Sequence, residues 1–275
     1  MNKNILFIID MQNDFTTKEG SLYVNGSEND VNNLCEFIKK NCNVIETIIT
    51  SQDRHFQYNI CHPKFWVDEN GENPLPFTEI SLEDIVKDKF RPYDESILTY
   101  IMNYFNKLGK LNKKHTIWPY HCIRGICNIE TKGCKLNSDL LQSIQRWEEQ
   151  RYENIWYRLY KGENPYTEQY SVFTPFYEAK CENYEIDTNV IIFKDFLKQI
   201  DVDDRIFIAG EAQTHCVKET LKDMMHYFPD YMSRVVILTD CMSPIGTDFD
   251  INTDEVYKKA VEKGAILATS KDYKF

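Results

Sequence analysis

Six short apolar runs punctuate the chain, at residues 5–9, 44–49, 155–159, 205–209, 235–238 and 265–268. They are close to continuous, without a polar residue at every second position. That is the pattern of parallel strands buried on both faces. Between them, apolar residues recur at helical spacing over 30–40, 95–106, 139–150, 189–199, 214–227 and 253–263. The last of these carries its own boundary signals, with Thr253, Asp254 and Glu255 at the start and Gly264 just past the end. Strands alternating with helices predict an α/β fold with a doubly wound, mainly parallel six-stranded sheet and helices on both faces.

One stretch breaks the rhythm. Between residues 68 and 112, Pro74, Pro76, Pro92 and scattered charges interrupt the pattern, and only 95–106 reads as helix. It is expected to be an insertion packed on the edge of the sheet. No Gly-, Ser- or Pro-rich linker and no internal repeat divides the chain, so residues 1–275 are expected to form a single domain with this insertion.

Composition narrows the function. Asp and Glu outnumber Lys and Arg 43 to 32, a formal charge of −11. That is the wrong sign for a protein whose main partner is a nucleic-acid backbone. The run at 5–9 stops at Asp10, far short of a secretory core, and no run approaches a membrane span. Nine cysteines form an odd set, and Cys122, Cys127 and Cys134 are too loosely spaced for a zinc knuckle. Reduced thiols in a cytoplasmic protein are therefore expected.

In open α/β sheets, functional groups gather past the carboxyl ends of the strands. Asp10 closes the first run, Asp53-Arg54-His55 follows the second, Lys161 ends the aromatic run beginning at Ile155, and Gly210-Glu211-Ala212-Gln213-Thr214-His215-Cys216 follows the fourth. Cys216 falls early in the helix expected from Thr214, where the helix dipole and free N–H groups favour thiolate and could hold an oxyanion. A small core residue would suit that position equally well. Asp10 is the candidate base, and Lys161 could stabilise both charges. Asp53 and His55 offer an oxygen and a nitrogen ligand facing the same way. His121 offers a third ligand and His62 a possible fourth. His215, adjacent to Cys216, is expected to turn away and pack, while His115 and His226 are expected to be structural or exposed.

Taken together, Asp10-Met11-Gln12-Asn13-Asp14-Phe15, Gln52-Asp53-x-His55, Trp118-Pro119-x-His121-Cys122, Lys161-Gly162, Tyr170-Ser171-x-Phe173 and Ala212-x-Thr214-His215-Cys216-Val217 resemble the nicotinamidase branch of the isochorismatase-like cysteine hydrolases. The motifs stand in that family's order and, with their flanking strands, span positions 5 to 270. The resemblance implies a metal-dependent amidohydrolase that converts nicotinamide to nicotinate and ammonia through a thioester on Cys216, in pyridine-nucleotide salvage. It implies Asp10 as base, Lys161 as electrostatic partner, and the N–H groups of Ala212 and Cys216 as an oxyanion hole, with a cis peptide before Ala212. It assigns a divalent metal, most often zinc, to Asp53, His55 and His121, and the ring-sandwiching aromatics to Phe15 and Trp118. Relatives often self-associate, so a homo-oligomer is possible.

Three features depart from that pattern. Glu211 replaces the usual aliphatic residue before the alanine, the segment between Lys161 and Tyr170 is long, and His62-Pro63-x-Phe65-Trp66 is atypical. Glu211 could either recognise a polar group of the substrate or hydrogen-bond its own loop. The alternative substrate is therefore another small amide, ureide or carbamoyl compound, with Glu211 and Glu168 selecting a polar or cationic group.

Overall fold

The computed structural model describes residues 3–111, 113–125, 130–177 and 188–275. Its central sheet has six strands: β1 (Asn4–Ile9), β2 (Ile45–Asp53), β3 (Ile155–Lys161), β4 (Ile206–Gly210), β5 (Val235–Leu238) and β6 (Ile266–Ala268). Their spatial order is β3-β2-β1-β4-β5-β6, and every neighbouring pair is parallel. The six apolar runs are thus the six strands. The order reverses between β1 and β4, which is the switch point where doubly wound sheets open a crevice.

The continuous runs are explained by burial on two faces. Ile5, Phe7 and Ile9 enter one core, while Leu6 and Ile8, one residue out of phase, enter the other. The first core is closed by α4 (Thr188–Leu197), α5 (Lys218–Tyr227) and α6 (Glu255–Glu262) through Phe193, Leu221, Met224 and Tyr257. The second is closed by α1 (Ser27–Lys40) and α3 (Ser138–Glu148) through Leu34, Phe37, Ile144 and Trp147. Trp147 also donates its indole N–H to Ile45 O at 3.1 Å, tying α3 to β2.

Helix boundaries follow the caps. Asp254, not Thr253, starts α6, its side chain accepting from Val256 N and Tyr257 N, and Gly264 follows with φ +101°. The helix expected over 214–227 is divided. A π-helical turn, Gln213–Val217, precedes α5, and Cys216 lies in that turn.

The stretch expected as an edge insertion has its own core. Its helix α2 (Leu98–Lys110) begins after a 3-10 turn at Glu95–Ile97 and runs beyond the expected end. Strand Trp66–Asp68 pairs with Phe90–Pro92, and Glu79–Ile80 pairs with His115–Thr116, both antiparallel. Trp66, Ile80, Phe90, Ile101, Phe105 and Ile117 form a third core to which none of the six sheet strands contributes a buried residue. A short helix expected by no apolar period, Leu82–Val86, is started instead by a capping box between Ser81 and Asp84.

The seven described cysteines are free thiols; Cys127 and Cys181 lie outside the described residues. Among the described residues, no helix is long and apolar enough to cross a membrane.

His115 is structural and not exposed. It is buried in the third core, with Nε2 facing Ile60 O at 2.8 Å and Nδ1 facing the Tyr104 hydroxyl at 3.0 Å. Burial pushes its pKa down to about 4. The unfolded chain therefore takes up a proton at this side chain near pH 6.5 while the folded chain does not. Stability should be complete above pH 6.5 and fall as the pH drops toward 4, by up to about 3 kcal/mol. Urea unfolding at several pH values checks this, and His115→Gln should flatten that part of the dependence.

Candidate active site

Register brings the site together. On adjacent parallel strands, Asp53 of β2 and Lys161 of β3 are direct partners, so their side chains leave the sheet on one face. Ile9 of β1 is level with Gly210 of β4, which places Asp10 beside the loop carrying Ala212 and Cys216. Gly210 has φ +139°, and a Cβ there would lie 2.1 Å from Ile9 O, so only glycine permits this approach.

Lys161 sits at the centre with its side chain fully buried. Its Nζ lies 3.0 Å from Asp10 Oδ2 and 3.2 Å from Asp53 Oδ1, donates to Gln169 O at 3.1 Å, and is 3.7 Å from Cys216 Sγ. Burial alone would discharge it, but the charges of Asp10 and Asp53 outweigh burial and hold its pKa well above the ordinary lysine value. Asp10 occupies the left-handed region at φ 50° and is fixed by Ser51, whose hydroxyl accepts from Asp10 N and donates to Oδ1 at 2.6 Å.

The three groups are electrostatically graded. Burial raises the Cys216 thiol well above its usual value, against the pull of Lys161, so the resting group is a thiol. This overrides the acidifying effect expected of a helix start. Cys216 shares the Lys161 ammonium with Asp10, whose own carboxyl burial raises despite Lys161. A thiol thus faces a carboxylate of increased basicity, with an ammonium beside both, an arrangement suited to passing one proton from Sγ to Asp10.

A second cluster adjoins the first. Ligand atoms of Asp53, His55 and His121, all buried, lie within 4.8 Å of one another. His55 Nε2 is 2.9 Å and His121 Nε2 3.8 Å from Asp53 Oδ2. Burial works to raise the Asp53 carboxyl, but the charges of His55 and Lys161 prevail and hold it well below the usual range, so it is ionised. The second ring nitrogens are engaged behind the cluster, His55 Nδ1 facing Gly162 O at 3.1 Å and His121 Nδ1 facing Pro119 O at 2.8 Å. Beyond the ion pairs with Asp53 Oδ2 and Lys161 Nζ respectively, neither His55 Nε2 nor Asp53 Oδ1 has a hydrogen-bond partner among the described residues. An anionic oxygen and two imidazole nitrogens aimed at one point, with backbone carbonyls orienting the rings, fit a divalent metal.

His62 stands behind this cluster. Its Nε2 is 3.4 Å from His121 Nδ1 and its Nδ1 faces Phe56 O at 3.2 Å, so it contacts a prospective ligand instead of joining the converging set. Burial, then the neighbouring His121, lowers its pKa to about 2, which keeps it neutral.

Phe15, Trp118, Tyr170, Ala212, His215 and Cys216 line one cavity together with Asp53, His121 and Glu168. Trp118 donates its indole N–H to the Tyr170 hydroxyl at 3.1 Å. His215 packs as expected, edge-on to Trp118 and Tyr170, but it does not turn away: it forms part of the cavity wall. Glu211 does not line the cavity and hydrogen-bonds Ser243 N. Of the two roles open to it, the structure realises the loop contact. The Glu211–Ala212 peptide is cis, as the resemblance implied.

Several positioning residues carry no signal in residue type alone. Gln12 donates to Asp53 O and accepts from Asp53 N, both at 2.7 Å, clamping the end of β2. Asp14 accepts from Cys122 N at 2.6 Å and so fixes the residue after His121. Both stand in the polar run directly after β1, and that placement was the available clue. Ser51, Gln169 and the carbonyl of Gly162 offered none.

No protein-family model and no curated protein matches the sequence. Solved structures do share the fold along nearly the whole chain. A nicotinamidase–pyrazinamidase from Acinetobacter baumanii superposes over 99% of this chain and 98% of its own, with TM-score 0.61 and 18% identity. The yeast nicotinamidase bound to the inhibitor nicotinaldehyde covers 97% of this chain and 99% of its own, with TM-score 0.62 and 18% identity. A third, from L. infantum in complex with nicotinate, covers 98% and 94%, with TM-score 0.55 and 18% identity. At such identities, what is shared is the fold.

Gly162 gives a direct test of the second cluster. It has φ +75°, and a Cβ there would fall 2.3 Å from Asp53 Oδ1 and 2.7 Å from His55 Cε1. If this cluster holds a divalent metal, Gly162→Ala should weaken its binding by about 10–100-fold, as expected when the support of a metal site is displaced. Competition with a chromophoric chelator measures it. Unchanged affinity in the folded variant would place the metal elsewhere.

Proposed function

We propose that the chain is a cysteine amidohydrolase of the nicotinamidase branch, hydrolysing nicotinamide to nicotinate and ammonia. The observation that carries this reading is the buried contact of Asp10, Lys161 and Cys216 beside an Asp53–His55–His121 cluster, on a fold shared with nicotinamidases.

In this mechanism, Asp10 takes the thiol proton and Cys216 Sγ attacks the amide carbonyl. Lys161 stabilises the new thiolate and the Asp10 carboxyl through the change of charge. The tetrahedral oxyanion is held by the N–H groups of Ala212 and Cys216. Asp10 returns the proton to the leaving nitrogen, ammonia departs, and a thioester remains. Asp10 then deprotonates water, which attacks the thioester and releases nicotinate and the thiol. Phe15 and Trp118 sandwich the pyridine ring, turning binding into orientation. A divalent metal, zinc in the first instance, held by Asp53, His55 and His121, would supply a Lewis acid for the ring nitrogen. Release of nicotinate would serve pyridine-nucleotide salvage in the cytoplasm.

A second reading keeps the chemistry and changes the substrate to another small amide, ureide or carbamoyl compound. Glu168 favours it: this residue lines the cavity and is 3% exposed, and its Oε2 has no hydrogen-bond partner among the described residues. Such an oxygen would accept from a second polar or cationic group, in addition to the carboxamide that nicotinamide offers.

Ammonia release from zinc-loaded protein with nicotinamide should be rapid, and Cys216→Ala should lower it by about 10⁴-fold or more while the fold is kept. Activity retained in Cys216→Ala would remove the thiol from the mechanism. Activity absent with nicotinamide, alongside a reactive Cys216, would favour the second reading. His121→Ala should lose bound metal and raise KM steeply; unchanged metal content would remove His121 from the site.

A further inference from the structure

The Glu211 side chain leaves the oxyanion loop on the side away from the cavity. It meets Asp30 of α1 and Ser243, which follows β5. Glu211 Oε2 accepts from Ser243 N at 3.2 Å, and the Ser243 hydroxyl donates to Asp30 Oδ2 at 2.5 Å. Both carboxyl groups are thus bonded to the one residue Ser243, and each bears on the other's protonation. Glu211 is 0% and Asp30 5% exposed, and Glu211 Oε1 has no donor directed at it among the described residues.

Among the described residues, no cation is a principal influence on either carboxyl group. Asp240, after β5, is the other charged group acting on Asp30, and it too is acidic. Cys241 and Tyr257, whose own titration the pair influences, bring no positive charge either. Two carboxylates gathered on one serine in a dry site resist ionising together, so one proton stays between them. Glu211 Oε1 is the oxygen left to carry it, donating toward Asp30. Burial raises both groups, which agrees with a retained proton.

We propose that Glu211 and Asp30 share one proton and that this pair, acting through Ser243, is the positioning element that holds the loop bearing Ala212 and Cys216. The mechanical link runs through the backbone. Ser243 O accepts from Gln213 N at 2.8 Å, and Ile245 N donates to Thr214 Oγ at 3.1 Å, so the segment after β5 is joined to the oxyanion loop at the two residues between Ala212 and His215. The N-terminal end of α1 closes against the same serine, since a Cβ at Gly26 would lie 2.6 Å from Ser243 Oγ. Fixed donors are what an oxyanion hole requires. Glu211 and Asp30 touch neither the cavity nor the reacting atoms; they act through the loop. The effect on turnover, though not the shared proton, rests on the hydrolase reading above.

Infrared difference spectra between the parent protein and Glu211→Gln test the proton without any substrate. The parent should show the carbonyl band of a buried protonated carboxylic acid near neutral pH, shifting in D2O and lost in Glu211→Gln and in Asp30→Asn. No such band in the parent would overturn the proposal. In turnover, Glu211→Ala should lower kcat by about 10–100-fold with KM changed less than about threefold, the scale of a displaced oxyanion donor. Glu211→Gln should recover kcat to within about fivefold, since its amide donates to Asp30 and accepts from Ser243 N. Equal activities in the Ala and Gln variants would overturn the positioning role. Should Glu211→Ala fail to fold, Ser243→Ala takes its place, with the same loss expected and parental kcat contradicting the link. If nicotinamide is not the substrate, the rate of Cys216 alkylation, followed by peptide mass, replaces kcat, and the infrared result stands apart.

Discussion

The buried ammonium of Lys161 is the interaction on which the site depends. It touches two carboxylates and a thiol at a place where all four residues are buried. Without it, Asp10 would lose its cation and Asp53 would keep only His55 and His121, and removing one partner of a buried pair costs about 3–5 kcal/mol. With it, Asp53 stays ionised and available to a cation while Asp10 is left more basic than an ordinary carboxylate. One lysine therefore serves both halves of the candidate site, the thiol–carboxylate pair and the cluster whose ligands fit a metal. The direct register between Asp53 and Lys161 on neighbouring strands makes the sharing geometrically obligatory.

Much of this was legible in the chain. Six apolar runs became six strands because a parallel sheet covered on both faces admits few polar residues, and alternate residues of each run separate into two cores. Asp10, Asp53, Lys161 and Cys216 were found by a simple rule, that chemistry collects in the residues just past the carboxyl end of each strand. The structure brings all four into one contact network.

The parts that were not legible depend on contacts distant in sequence or on backbone detail. The π-helical turn at Gln213–Val217 leaves no periodic trace, and it moves Cys216 ahead of α5 and brings His215 onto the cavity wall. Burial of the thiol outweighs the helix-start effect that residue type and position suggested. The stretch between 68 and 112 looked irregular because its order comes from short antiparallel pairs and a capping box, features that produce no long apolar period. Glu211 announced itself as an unusual residue, yet its partner Asp30 lies on a helix near the other end of the chain, and only the fold could name it.

Control of the Cys216 charge state by Lys161 is open to a single experiment. Lys161→Met keeps much of the side chain's bulk and removes its charge. The pH dependence of Cys216 alkylation, followed by peptide mass, reads the consequence. With the fold retained, alkylation at a given pH should slow by about tenfold or more and its rise should move to higher pH, since the thiolate has lost its nearest cation. An alkylation profile identical to that of the parent would contradict this control.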